Sequence, residues 1–143
     1  MKKKALLTLL IFLVVLSGCA TLSKNLTNEH YGKLCSAALI SADKVNGTFR
    51  GHIPPDFDAA QFLALVKTKI PDDYYSEYKG KTIKVDSRGT YYLLKIYDDH
   101  ESLILFDYSC TPEIDGPVLR DPGKYDLTNL DQYDKCASHN RLN

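Results

Sequence analysis

The stretch Ile83-Lys84-Val85-Asp86-Ser87-Arg88-Gly89-Thr90-Tyr91-Tyr92-Leu93-Leu94-Lys95-Ile96-Tyr97 runs on through Asp98-Asp99-His100-Glu101 into Ser102-Leu103-Ile104-Leu105-Phe106-Asp107-Tyr108-Ser109-Cys110. Its side chains alternate at the period of a β-strand, which sends successive residues to opposite faces. Ile83 and Val85 alternate with Lys84 and Asp86. Ser87-Arg88-Gly89 reads as a tight turn, and residues 98–101 read as another. The expectation is a three-stranded antiparallel meander with its later strands over 90–97 and 102–110. Tyr92, Leu94 and Ile96 should share one face, as should Ile104, Phe106, Tyr108 and Cys110. Pro112 stops the last strand, because it has no N–H to give to a ladder.

Upstream of Gly80 the period is helical. Leu34, Ala38, Ala42 and Val45 make one stripe, with Cys35 and Leu39 beside it. A first helix is expected from about Asn28 to Val45, closed by Asn46-Gly47. A second begins behind Asp58, whose partner Gln61 completes a capping box, and turns Phe62, Leu63, Val66 and Ile70 inward. Pro71 ends it. Pro71-Asp72-Asp73 starts a further turn or two that close near Gly80. Helices first and strands after predict an α+β class: two N-terminal helices packed on the meander, then an irregular C-terminal tail.

The first nineteen residues follow a different logic. Met1-Lys2-Lys3-Lys4 is basic, residues 5–16 are apolar or small apart from Thr8, and Leu16-Ser17-Gly18-Cys19 closes the segment. The apolar run is short for a membrane span, which takes about 20 residues. A basic start, a short apolar run and small residues describe a secretory signal peptide. The Leu-Ser-Gly-Cys ending resembles the lipobox of bacterial lipoproteins. That resemblance implies a signal peptide over 1–18, cleavage before Cys19, and lipidation of the Cys19 thiol. Ala20 follows the Cys where an Asp would imply retention at the inner membrane, so the resemblance implies the outer membrane, facing the periplasm. Several acyl chains at about 0.8 kcal/mol per buried methylene make such anchoring effectively permanent. Residues 19–27 form the lipidated Cys and its tether. The eight residues after Cys19 reach roughly 16 Å as a flexible coil. A single domain is expected over 28–143.

Removing the leader changes the charge. The 143-residue chain has 18 basic and 18 acidic residues. Residues 1–18 take away three lysines and no acid, which leaves a mildly acidic domain. Without a basic surplus, binding to nucleic acid is not expected. Cys19 goes to the lipid, leaving Cys35, Cys110 and Cys136, so at most one internal disulfide forms. Cys110–Cys136 is the favoured pair, since it would clip the tail to the last strand. A pairing of Cys35 with either partner is the alternative, and Cys35 beside the helix stripe otherwise reads as a core thiol.

The chemistry-bearing residues give weak signals. Leu34-Cys35-Ser36-Ala37 slightly resembles the start of the NlpC/P60 cell-wall peptidases, in which a Cys-Ser pair at a helix N-terminus has a lowered thiol pKa. Leu34 stands where that family has Asp, Ala37 where it has Gly, and Cys35 falls inside the expected helix. His52 and His100 are the only candidate bases, both in loops. His30, His52, His100 and His139 lack metal-ligand spacing, so no metal and no cofactor is expected. No carboxylate spacing singles out a glycosidase pair, and no phosphate loop occurs. An enzyme is not expected.

The second face of the meander is more informative. It carries Tyr91, Leu93, Tyr97, Leu103 and Leu105, interrupted by Lys95 and Asp107. A solvated sheet face is more polar than this, so something covers it: the chain's own tail or a partner protein. Ten tyrosines favour an interface, as an apolar ring with a polar tip suits one. Tyr74, Tyr75 and Tyr78, beside Asp72, Asp73 and Glu77, form another candidate patch. The expectation is a protein-binding module: an envelope accessory, an inhibitor or an immunity protein. A hydrolase using Cys35 and a purely structural lipoprotein are the alternatives.

Overall fold

A computed structural model describes residues 28–137. The signal peptide expected over 1–18, Cys19, the expected tether and His139 lie outside the described residues. Contacts divide the chain into two units, residues 1–32 and 33–143. Of the first unit only residues 28–32 are described, and they are helical. No helix among the described residues is long and apolar enough to cross a membrane.

Helix α1 covers residues 28–49. From the second unit it buries Leu34, Ala37, Ala38, Ser41, Ala42 and Val45, spaced at one helical face. Cys35 and Leu39 are half-buried at the edge of that stripe. The helix continues past the expected stop at Asn46-Gly47. Asn46 is turned to tertiary use: its Nδ2 donates to the Ser109 carbonyl at 2.6 Å. The stop falls instead at Arg50 and Gly51, with φ of 51° and 82°. Left-handed backbone ends a helix wherever it falls, and glycine adopts it without a Cβ clash.

Helix α2, Ala59–Lys69, starts as its sequence dictates. Gln61 N–H donates to Asp58 Oδ1 at 2.9 Å, and Asp58 N–H donates to Gln61 Oε1 at 3.3 Å. It buries Phe62 and Val66, and Ile70 is buried at its end. After Pro71 come a short helix α3, Asp72–Tyr75, and a 3₁₀ turn, Ser76–Tyr78.

The meander follows: β1 Thr82–Ser87, β2 Tyr92–Tyr97 and β3 Leu103–Tyr108, antiparallel in the order β1-β2-β3. Helices followed by this sheet make an α+β arrangement. Val85 pairs with Leu94, Leu94 with Asp107, and Ile96 with Leu105. Ile83, Val85, Tyr92, Leu94, Ile96 and Leu105 therefore share one face. The helices pack there: the Phe57 and Phe62 rings meet Tyr92 edge-on at centroid distances of 5.9 and 5.7 Å.

The register also corrects the expected faces of β3. Leu93 pairs with Tyr108 and Lys95 with Phe106, so Phe106 and Tyr108 lie on the side of Tyr91 and Leu93. Leu105 lies on the helix side and is fully buried. A register shift between Ile96 and Tyr97 sets Leu103 opposite Tyr97, and Leu103 packs with the Phe106 side. Alternation within a strand gives two faces, but only pairing across strands says which goes with which.

Residues 111–137 run back over that second face, with one 3₁₀ turn, Leu130–Tyr133. Cys110 and Cys136 are disulfide-bonded with Cα atoms 6.1 Å apart. This segment is a strap. It first follows the outer edge of β3, where Phe106 N–H donates to the Gly116 carbonyl and Gly116 N–H donates to the Phe106 carbonyl, at 3.1 and 3.0 Å. An edge strand with its ladder groups occupied no longer offers them to another chain.

Candidate functional site

The strap removes most of the expected binding face from solvent. Tyr91, Leu93, Phe106 and Tyr108 form one buried cluster with Val118 and Cys136, and Leu103, Tyr125, Leu130 and Tyr133 pack against it. Tyr91 and Leu93 are buried, Leu105 is buried on the opposite face, and Tyr97 and Leu103 are half-buried. These five residues therefore do not make one accessible surface. Of the two covers that the sequence allows, the tail is the one present. Aromatic rings build the seam: Phe106 meets Tyr125 at 5.4 Å and Tyr133 at 5.6 Å, and Tyr125 meets Tyr133 at 5.3 Å.

Polar groups fix the strap in register. Tyr91 Oη donates to Asp134 Oδ2 at 2.6 Å, and Tyr108 Oη donates to the Leu130 carbonyl at 2.9 Å. Arg88 forms an ion pair with Asp131 at 2.9 Å. Burial, then the bond to Asp134, raises the Tyr91 phenol to about 12, so it stays a donor at any physiological pH.

The strap is itself indented. A cleft of about 330 Å³ is lined by Asp115, Lys124, Tyr125, Gln132, Tyr133, Asp134 and Lys135. Its size falls within the usual range for ligand sites, roughly 300–1,000 Å³. Asp134 is committed to structure: besides Tyr91 it accepts from the backbone N–H groups of Cys136 and Ala137. Asp115 is half committed. Its Oδ2 accepts from Tyr108 N–H at 2.9 Å and from Thr111 Oγ1 at 3.0 Å. Its Oδ1 is buried and has no N–H or hydroxyl donor; the neighbouring Asp107 side chain, when protonated, donates to this carboxylate. Lys135 Nζ stands 4.0 Å from Oδ1, with the Lys135 side chain 75% exposed and that of Asp115 only 2%.

Behind Asp115 lies a second buried acid. Asp107 is 1% exposed on the helix side of β3. Asp115 N–H donates to its Oδ1 at 3.3 Å, and its Oδ2 accepts no hydrogen bond. Burial first, and then the neighbouring Asp115 carboxylate, pushes Asp107 up to about 8. Burial also raises Asp115, opposed by its bonds to Tyr108 and Thr111, by Lys135 and by a side-chain hydrogen bond from Asp107. Two carboxylates this close and this dry do not both ionise readily.

No family model, no curated protein and no solved structure matches the chain.

The remaining candidates are placed as follows. Cys35 lies inside α1 and is half-buried, away from the helix-start position that the NlpC/P60 resemblance implies. His52 is exposed in the loop after α1, and His100 is exposed on the β2–β3 turn. No group of three or more metal-type side chains gathers among the described residues. Of the second tyrosine patch, Tyr78 is buried and shares a 2.9 Å hydrogen bond with Ser41 Oγ. Its ring meets Phe62, so Tyr78 belongs to the core, while Tyr74 and Tyr75 are half-buried. Asp115, Tyr125, Gln132 and Tyr133 were not legible as a site, because the tail has no periodicity to read. Asp107 left one signal: it is an acid in the middle of an apolar strand.

Proposed function

We propose that this protein is a lipoprotein anchored through Cys19 to the outer membrane, facing the periplasm, and that it binds another protein and performs no reaction of its own. The anchor rests on the lipobox resemblance of Leu16-Ser17-Gly18-Cys19. The binding role rests on one observation: the strap carries a cleft walled by two tyrosine rings and rimmed by charges of both signs. Rigid aromatic anchors surrounded by a polar rim are the composition of protein interfaces. The disulfide supports this reading, since it holds a segment of little regular structure in one shape and so lowers the ordering cost of binding.

Photocrosslinking in intact cells tests it. A crosslinking residue at Tyr125 should give one saturable adduct that is lost in Tyr133→Ala, while the same residue at Thr68, exposed on α2, should give none. Equal adducts from both positions would refute strap-mediated binding. Cys19→Ala should leave the protein unlipidated and outside the membrane fraction, and normal fractionation of that variant would remove the anchor from the proposal.

A further inference from the structure

We propose that Asp107 and Asp115 form a proton-operated latch: one shared proton holds the start of the strap on the edge of β3, and its loss frees residues 111–119 while the disulfide keeps the far end of the strap in place. The device goes beyond the strap-binding reading and does not depend on it.

The geometry calls for the proton. Asp107 belongs to β3 and Asp115 to the strap. Asp107 is 1% exposed, and the Asp115 side chain 2%. The two side chains are in hydrogen-bonding contact. A carboxylate only accepts, so two carboxylates cannot share a hydrogen bond, whereas a carboxyl and a carboxylate can. Each residue also keeps one buried oxygen that no N–H or hydroxyl reaches, Asp107 Oδ2 and Asp115 Oδ1. With a proton on Asp107, the contact is a charge-assisted bond, short and strong. Without it, two negative charges meet with little water to screen them.

The pair sits at the joint that it controls. Asp115 N–H donates to Asp107 Oδ1 at 3.3 Å, and Asp115 Oδ2 accepts from Tyr108 N–H at 2.9 Å. The next residue, Gly116, exchanges two backbone bonds with Phe106, and Leu119 N–H donates to the Ile104 carbonyl at 3.1 Å. These bonds cover the outer edge of β3. Driving Asp115 away from Asp107 pulls on all of them and uncovers that edge. Asp115 also walls the strap cleft, which loses that wall in the same movement.

The surroundings leave the proton to this pair. From the end of the strap, Lys135 Nζ stands 4.0 Å from Asp115 and favours its charged form, so the proton stays on Asp107. From β2 and the 3₁₀ turn, the phenols of Tyr92 and Tyr78 face Asp107, and burial keeps both neutral. The Tyr108 phenol faces Asp115, and burial raises it likewise. Burial and then the Asp115 charge place the Asp107 carboxyl at about 8. The closed strap therefore keeps a proton that the open strap gives up to water near the ordinary carboxylate value, about 4. Opening becomes easier as pH rises from about 4 to about 8 and is level above that. A carboxyl pair thus works in the range where histidine is the usual switch.

Native-state amide exchange of the full chain in detergent, with the disulfide intact, tests the latch. Rates are corrected for the intrinsic effect of pH. The amides of Phe106, Tyr108 and Gly116 should be less protected than those of Leu94 and Ile96 in β2, the mark of local opening. Their protection should fall by about tenfold per pH unit between about pH 5 and about pH 8, the linkage of one proton. Asp107→Asn, whose amide donates at every pH, should abolish that slope and keep the joint closed at pH 8. If Asp107→Asn does not fold, the carboxyl resonances of the wild-type protein decide, since one of the pair should titrate near 8. Joint amides as well protected as those of β2 would show that the strap opens only with the whole fold, and would overturn the proposal. So would a joint without the slope, the same slope in Asp107→Asn, or two carboxyls that both titrate near 4.

Discussion

Gly116 and Phe106 share two backbone hydrogen bonds, and the ring of Phe106 fills the space that any side chain on Gly116 would need. A Cβ built on Gly116 would overlap the ring atoms. Phe106 is fully buried and packs on Tyr108, Tyr125 and Tyr133, so it has nowhere to move. Gly116→Ala should therefore cost about 1–3 kcal/mol, the range for overpacking a dense core. Gly47 is the control. It is exposed within α1 with nothing near its absent side chain, and Gly47→Ala should stabilise by about 0.5–1 kcal/mol through helix propensity. Chemical denaturation of both variants checks the opposed signs.

The disulfide closes a separation of 26 residues. Replacing Cys110 and Cys136 together by alanine should lower stability by about 3 kcal/mol in the chain-entropy model. Tyr91, Leu93, Phe106 and Tyr108 lie under the strap. Dye binding to exposed apolar surface should therefore rise in the variant before the helical signal is lost. Simultaneous loss of both signals would show that the strap and the body unfold as one unit.

Asp107 predicts an inverted pH dependence. Its folded pKa, about 8, lies above the ordinary carboxylate value. The folded state then holds a proton that the unfolded state gives up, so this group's contribution is full below about pH 4 and is lost as pH rises toward 8. Stability should fall across that window in the wild-type protein. Asp107→Asn, neutral throughout, should flatten the slope and be the more stable form at pH 8. Denaturation midpoints of both proteins at several pH values give the answer, and equal slopes in wild type and Asp107→Asn would rule out the protonated acid.

Ser41 and Tyr78 tie α1 to the 3₁₀ turn through a fully buried hydrogen bond. Ser41→Ala leaves the phenol without that partner and should cost about 1–3 kcal/mol. Adding Tyr78→Phe removes the stranded hydroxyl too, so the double variant should recover part of the loss. Thermal melts of Ser41→Ala, Tyr78→Phe and the double variant reveal the non-additivity.

Much of the fold was legible where one physical rule acted alone. Asp58 and Gln61 stand at the one spacing that closes a capping box, and they close it. Ile83 and Val85 alternate because one side of β1 faces water and the other does not. Rules in competition were harder to read. Asn46-Gly47 carries a local stop signal, but Asn46 does more by reaching Ser109, 63 residues away. Leu105 looks like a partner for Leu93 until pairing across β2 puts it with Ile96. The strap was the least legible part. Its order comes from a disulfide, scattered tyrosines and bonds to a sheet it does not join in full, and none of these has a period.

The position of the strap in the chain also governs the order of assembly. The aromatic side of the sheet is complete by Tyr108, and its cover is synthesised only afterwards. During biogenesis that surface is bare, and bare apolar surface with an open strand edge is what drives misassociation. Closure needs Cys136 to arrive and an oxidant to be at hand. A chain held where thiols stay reduced lacks this lock, and one in an oxidising space gains it.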